Sequence, residues 1–101
     1  MATTTKALFR GAATTTTSTL LYTVPSATTA VVTNIAVTNT AGSAYTFTLS
    51  LDNIDLHTAT TIAANTTVYI DCKQVLATTK TIKGGASNAS VMFHISGVEI
   101  A

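Results

Sequence analysis

The sequence predicts an all-β protein: a single-domain antiparallel β-sandwich, jelly-roll or Ig-like, of about seven to eight strands, with an extended N-terminal arm. Three observations predict it. Threonine fills 24 of the 101 positions, and its β-branched side chain is stiff at χ1 and suits a pleated sheet better than a helix. From Leu20 onward, apolar and small polar residues alternate with period two. Turn residues interrupt that alternation about every 8 to 12 residues, the spacing of short strands in a sandwich or small barrel. No window sustains the apolar i, i+3, i+4, i+7 spacing of a helix, and "CKQVLATTK" is too short to hold one unaided. A chain of 101 residues supports one modest core, so one domain fills it.

The elements follow in order. Residues 1–18 are low-complexity, "ATTTK" and "GAATTTTST", with an apolar island at Ala7, Leu8 and Phe9. They read as an arm or an edge strand ordered by contact with a neighbour, and the sandwich domain as residues 19–101. "LLYTV" is a strand stopped by Pro25, which cannot donate to a central ladder. "PSATT" turns into a second strand from Thr29 to Asn39, whose odd positions Val31, Thr33, Ile35 and Val37 are the more apolar and are assigned to the core. "NTAGS" turns again, and "AYTFTLSL" points Tyr45, Phe47, Leu49 and Leu51 one way and Thr46, Thr48 and Ser50 the other. Those two strands read as a hairpin.

"IDLHT" follows the Asp52-Asn53 turn as a short strand. "TIAANTTVYID" then resumes the pattern after a turn at Ala64-Asn65, with Val68, Ile70 and Cys72 inward and Thr67, Tyr69 and Asp71 outward. Val75-Leu76 reads as a bend or a helical turn, Lys80 to Lys83 as a short strand, and Gly84-Gly85 as a turn. "SVMFHISGVEI" is the last strand, with Val91, Phe93 and Ile95 inward. Val98 and Ile100 are out of phase with them, so a bulge is expected at Gly97.

Charge limits the partners. Charged residues make up 9% of the chain and the formal net charge is +1. The basic residues Lys6, Arg10, Lys73, Lys80 and Lys83 are scattered, which argues against nucleic acid and against an acidic membrane surface. A near-neutral surface of hydroxyls and methyls is poorly defended against association, so assembly is expected. The single cysteine, Cys72, allows no internal disulfide, and the opening residues carry no basic-then-apolar leader pattern. No run approaches the roughly 18 apolar residues of a membrane helix.

No catalytic, metal-binding or cofactor-binding constellation is legible. His57, His94, Cys72, Asp52, Asp55, Asp71 and Glu99 are the candidate ligands or acid–base groups, and none falls in a metal-ligand spacing. Cys72 alternates with Val68 and Ile70 and reads as a small buried hydrophobe. No serine sits in a G-x-S-x-G setting and no phosphate-cradling loop is present. Asn65 and Asn88 open glycosylation sequons, which have no physical meaning without export. Tyr22, Tyr45, Phe47 and Phe93 read as core or strand-pair aromatics. Tyr69, off the Val68 face, is an interface candidate, together with Leu8, Phe9 and Arg10 of the N-terminal segment.

"LLYTVPSATTAVVTNIAVTNT", "AYTFTLSL", "TIAANTTVYIDCKQVL" and "VMFHISGVEI", in that order, resemble small virion structural proteins of tailed bacteriophages. The similarity spans about Leu20 to Ile100 and leaves out the threonine-rich start. The resemblance implies a non-enzymatic subunit, a capsid decoration protein first and a neck, tail or fibre component next. It implies assembly in the host cytoplasm and residence in the virion. The implied partners are the major capsid or tail proteins of the same particle and the protein's own copies, often as trimers. No cofactor is implied. The competing reading is a host-surface or carbohydrate-binding module on the same chassis, which requires exposed aromatics on one face.

Overall fold

The computed structural model describes residues 3–101, Cys72 by its backbone alone, so the expectation of a buried Cys72 side chain lies outside the described residues. Among the described residues eight strands follow one another: β1 (Thr3–Ala12), β2 (Leu20–Thr23), β3 (Thr29–Asn39), β4 (Tyr45–Leu51), β5 (Ile54–Ile62), β6 (Thr66–Leu76), β7 (Thr81–Ala86) and β8 (Val91–Ile100). They form two four-stranded sheets, ordered β1-β8-β3-β6 and β2-β7-β4-β5. All pairings are antiparallel. The pairs β1–β8, β2–β7, β3–β6 and β4–β5 are those of one long hairpin with its tip between β4 and β5. Rolling that hairpin adds β3–β8 and β4–β7 and lays the sheets face to face. This is jelly-roll connectivity, so of the two expected sandwich types the chain takes the jelly roll.

Local chemistry explains the tip. Asp52 and Asn53 both take positive φ, 54° and 60°, between the paired residues Leu51 and Ile54. Two-residue hairpin loops need that geometry because it matches the strand twist, and Asp and Asn tolerate it better than other side chains. The core is what the alternation offers from both sheets. Ile35, Val37, Val91, Phe93 and Ile95 come from the first sheet, and Phe47, Leu49, Ile62 and Ile82 from the second, all essentially inaccessible. Phe47 and Phe93 meet across the sheets edge to face, with centroids 6.3 Å apart.

Several expectations need correction. β3 and β4 are not a hairpin: they lie in different sheets, and the "NTAGS" turn crosses between them. The buried Asn39 holds that corner. Its amide nitrogen donates to the carbonyls of Ser43 (2.8 Å), Ile62 (3.3 Å) and Ala63 (3.3 Å), and its Oδ1 accepts from the Ala41 amide (3.0 Å). Val31 is not in the core. The register slips between Val32 and Asn34 against both neighbours of β3: Thr33 is the extra residue against β8, while against β6 it stands opposite two residues, 72 and 73. The inward set is therefore Ala30 and Val32 on one side of the slip and Ile35 and Val37 on the other. Such a slip exchanges the two faces of a strand, which simple alternation cannot reveal.

Gly97 lies in an unbroken β8, and the bulges fall on its partners, at Leu8 of β1 and Thr33 of β3. Val75 and Leu76 continue β6 as strand. Gly84 and Gly85 are not a turn but buried positions of β7. A side chain at Gly84 would stand 2.6 Å from the Thr48 carbonyl oxygen, and one at Gly85 would stand 2.3 Å from that of Thr16.

The N-terminal segment is an edge strand of this domain rather than an extended arm. β1 pairs along β8 from Thr3 to Ala12, with a slip only between Ala7 and Phe9. Beyond it Ala13 is buried, and the loop to β2 hydrogen-bonds β7 through Thr14 and Thr19.

Candidate interaction surfaces

The strand register lays out the solvent face of the first sheet in rows. Arg10, His94, Ala36 and Tyr69 lie side by side across β1, β8, β3 and β6. Ala12, Met92, Thr38 and Thr67 form the row on one side; Ala7, Ser96, Asn34 and Asp71 form the row on the other. The Thr38 and Thr67 hydroxyls are 2.9 Å apart. Past the bulges comes an apolar row, Val98, Val31 and Val75, beside Thr5. The face is broad and most of its side chains are short, with Arg10, Asp71 and Lys73 as its charges.

The four residues expected to contact a neighbour separate on this framework. Arg10 and Tyr69 are exposed on the same face and in the same row, at its opposite edges. Leu8 is buried in the domain's own core, because the bulge in β1 turns it inward above Gly97. Phe9 is half-buried and packs on that core. The apolar island in the N-terminal segment therefore serves the fold.

The sheets stay open at their sides, with β6 and β5 as the edges on one side and β1 and β2 on the other. The exposed large apolar side chains gather on these edges: Ile54 and Leu56 on β5, Tyr69 and Val75 on β6, and Leu20 on β2. Between β5 and β6 they open a cleft of about 270 Å³ lined by Leu51, Ile54, Leu56, Val75 and Leu76 together with Asp52, Asp55 and Gln74. That is smaller than the roughly 300–1,000 Å³ of pockets that enclose small-molecule ligands.

One polar cluster bridges the sheets. The alternation of β8 continues inward past Gly97 and carries Glu99 to the inner face, where its side chain is 15% exposed. Tyr22 of β2 donates its hydroxyl to Glu99 Oε2, and Lys6 of β1 stands 3.5 Å from Oε1. The Tyr22 hydroxyl is pushed well above the ordinary tyrosine range, first by desolvation, then by the hydrogen bond to Glu99 and by that group's charge. A phenol held in that state keeps its proton and acts as a clamp. Nothing in the sequence announced this contact, since its members are far apart in the chain and Glu99 sits among apolar neighbours.

Of the remaining candidates for chemistry, Asp52 and Asp55 line the cleft and the two histidines stand on different sheets. His57 reaches the Thr60 hydroxyl at 3.1 Å and packs on Phe47, with ring centroids 5.2 Å apart. His94 lies on the opposite sheet. Among the described residues no three His, Cys, Asp or Glu side chains come together as a metal site would require. Asn65 sits in the β5–β6 turn at a φ of 53°, and Asn88 caps a turn by accepting from the Ser90 amide at 2.9 Å. No protein-family model matches the chain, and no curated protein matches it.

Proposed function

We propose that the chain is a non-enzymatic structural subunit of a bacteriophage virion, one that packs on the capsid or tail surface and on its own copies. Capsid decoration is the favoured role and a neck, tail or fibre component the next. The observation that carries the reading is the outer face of the first sheet. It is a broad face made mainly of Thr, Ala, Asn, Ser and Val side chains, with Arg10, Asp71 and Lys73 as its charges, and it ends in the exposed apolar residues Tyr69 and Val75 at the free β6 edge. Such a face loses little side-chain entropy on contact and has few charges to desolvate. The sequence resemblance to phage virion proteins supports the same reading, and the jelly roll is a chassis that capsid proteins share with lectins and cupins.

The carbohydrate-binding alternative requires a platform of exposed aromatics. Of the six aromatic Phe and Tyr residues, Phe47 and Phe93 are fully buried, and Phe9, Tyr22 and Tyr45 pack on the core. Tyr69 alone stands out from the surface, on an edge, which favours the subunit reading. The test is co-sedimentation of the purified chain with phage particles stripped of their accessory proteins. Saturable binding to heads or tails is expected. Binding to host envelope glycans with none to particles would overturn the proposal.

A further inference from the structure

We infer that the free edge of β6 pairs antiparallel with β6 of a second copy about a two-fold axis through residue 72, joining two first sheets into one continuous sheet. The inference deepens the self-association in the reading above, and it stands independently of any virion.

The outward side chains of β6 are, in order, Tyr69, Asp71, Lys73 and Val75. Tyr69 is 73% and Val75 67% exposed, and the side chains of Asp71 and Lys73 are more than four-fifths exposed. Asp71 and Lys73 meet each other only at 3.9 Å, in full solvent. A two-fold through residue 72 sets Asp71 opposite the partner's Lys73, Lys73 opposite the partner's Asp71, and Tyr69 opposite the partner's Val75. The charged and the apolar pairs are thus satisfied together, and directly opposed pairs are the unit of sheet stabilisation.

Neighbouring registers fail this test. An axis through Asp71 opposes two carboxylates, and an axis through Lys73 opposes two ammonium groups. An axis between residues sets outward side chains against inward ones, because the side-chain period is two. The slip of β6 against β3 lies between Asp71 and Gln74, at the axis itself, where residues 72 and 73 of β6 stand opposite the single Thr33, so β6 keeps its own period-two alternation through the slip. On both sides of it the outward residues keep outward partners on β3: Tyr69 with Ala36, Asp71 with Asn34, and Val75 with Val31. Val75 also lines the cleft with Ile54 and Leu56, so the pairing brings the partner's Tyr69 beside that cleft. An edge of eleven residues with exposed apolar side chains and open backbone groups is a template for such pairing.

The test is sedimentation equilibrium of the full chain and two variants. The unmodified chain dimerises. Asp71→Lys opposes lysines at both symmetric positions and weakens the dimer about tenfold. Asp71→Lys combined with Lys73→Asp restores it. A second experiment uses a Cys72→Ser background. Disulfides form when Tyr69→Cys chains are mixed with Val75→Cys chains, and not in either alone. A monomeric unmodified chain, a dimer indifferent to the single reversal, a failure of the double variant to restore it, or cross-linking within the Tyr69→Cys sample alone would each overturn the inference. Particle binding by a chain that stays monomeric would overturn this pairing and leave the virion reading standing.

Discussion

The Tyr22 hydroxyl donates to the Glu99 carboxylate across the space between the two sheets, joining β2 to β8 at one end of the sandwich. Glu99 is largely shielded from water there and shares its charge with Lys6. Removing the donor leaves a shielded carboxylate with one partner fewer. Tyr22→Phe is expected to cost about 1–2 kcal/mol, measured by urea denaturation. The folded protein holds the Tyr22 proton more tightly than the unfolded chain does. Its contribution is therefore complete below the free tyrosine value of about 10 and is lost as pH rises beyond it. Alkaline melting curves of Tyr22→Phe should lack that part of the decline.

Asn39 is the second polar anchor. It satisfies three backbone carbonyls and one amide at the corner where β3 leaves for the other sheet. Asn39→Ala leaves buried groups without partners and should cost about 2–4 kcal/mol. Asn39→Asp should cost at least as much, because a carboxylate offers the carbonyls no donor. Thermal unfolding of the two variants beside the parent checks both values.

Gly97 is a position where backbone meets backbone. A methyl group there would stand 2.4 Å from the Val31 carbonyl oxygen and 2.8 Å from Leu8 Cδ1. Gly97→Ala should destabilise by about 1–3 kcal/mol, the usual range for overpacking. Gly42→Ala, with nothing within 4 Å of the added carbon, is the control and should leave the melting temperature close to the parent's.

β1 closes one side of the core. Deleting residues 1–12 removes Leu8 and Phe9 and uncovers β8, whose Phe93 and Ile95 lie at the centre of the fold. The truncated chain should lose cooperative unfolding, followed by near-ultraviolet circular dichroism. A segment that served only as a docking arm would leave folding unchanged.

These positions mark what could be read in the sequence. Alternation gave the strands and most of the core, since Phe47, Leu49, Val91, Phe93 and Ile95 keep strict period two. It misled at β3, where Thr33, an extra residue against β8, exchanges the faces and puts Val31 outside. Turn residues marked where strands stop and carried nothing about which sheet follows, so the "NTAGS" crossover read as a hairpin. Gly84-Gly85 read as a turn because close approach of a distant loop leaves no local trace. Of the candidate surface, Arg10 and Tyr69 were legible as outward residues. Leu8 was not, because only the pairing with β8 turns it inward.

The central claim is that the chain is a subunit of a phage particle. Electron micrographs of purified virions labelled with an antibody to the chain test it most directly. Regularly spaced label on the capsid, or confined to the neck, tail or fibres, is the expected result. Bare particles in a lysate where the chain is abundant and free would contradict it.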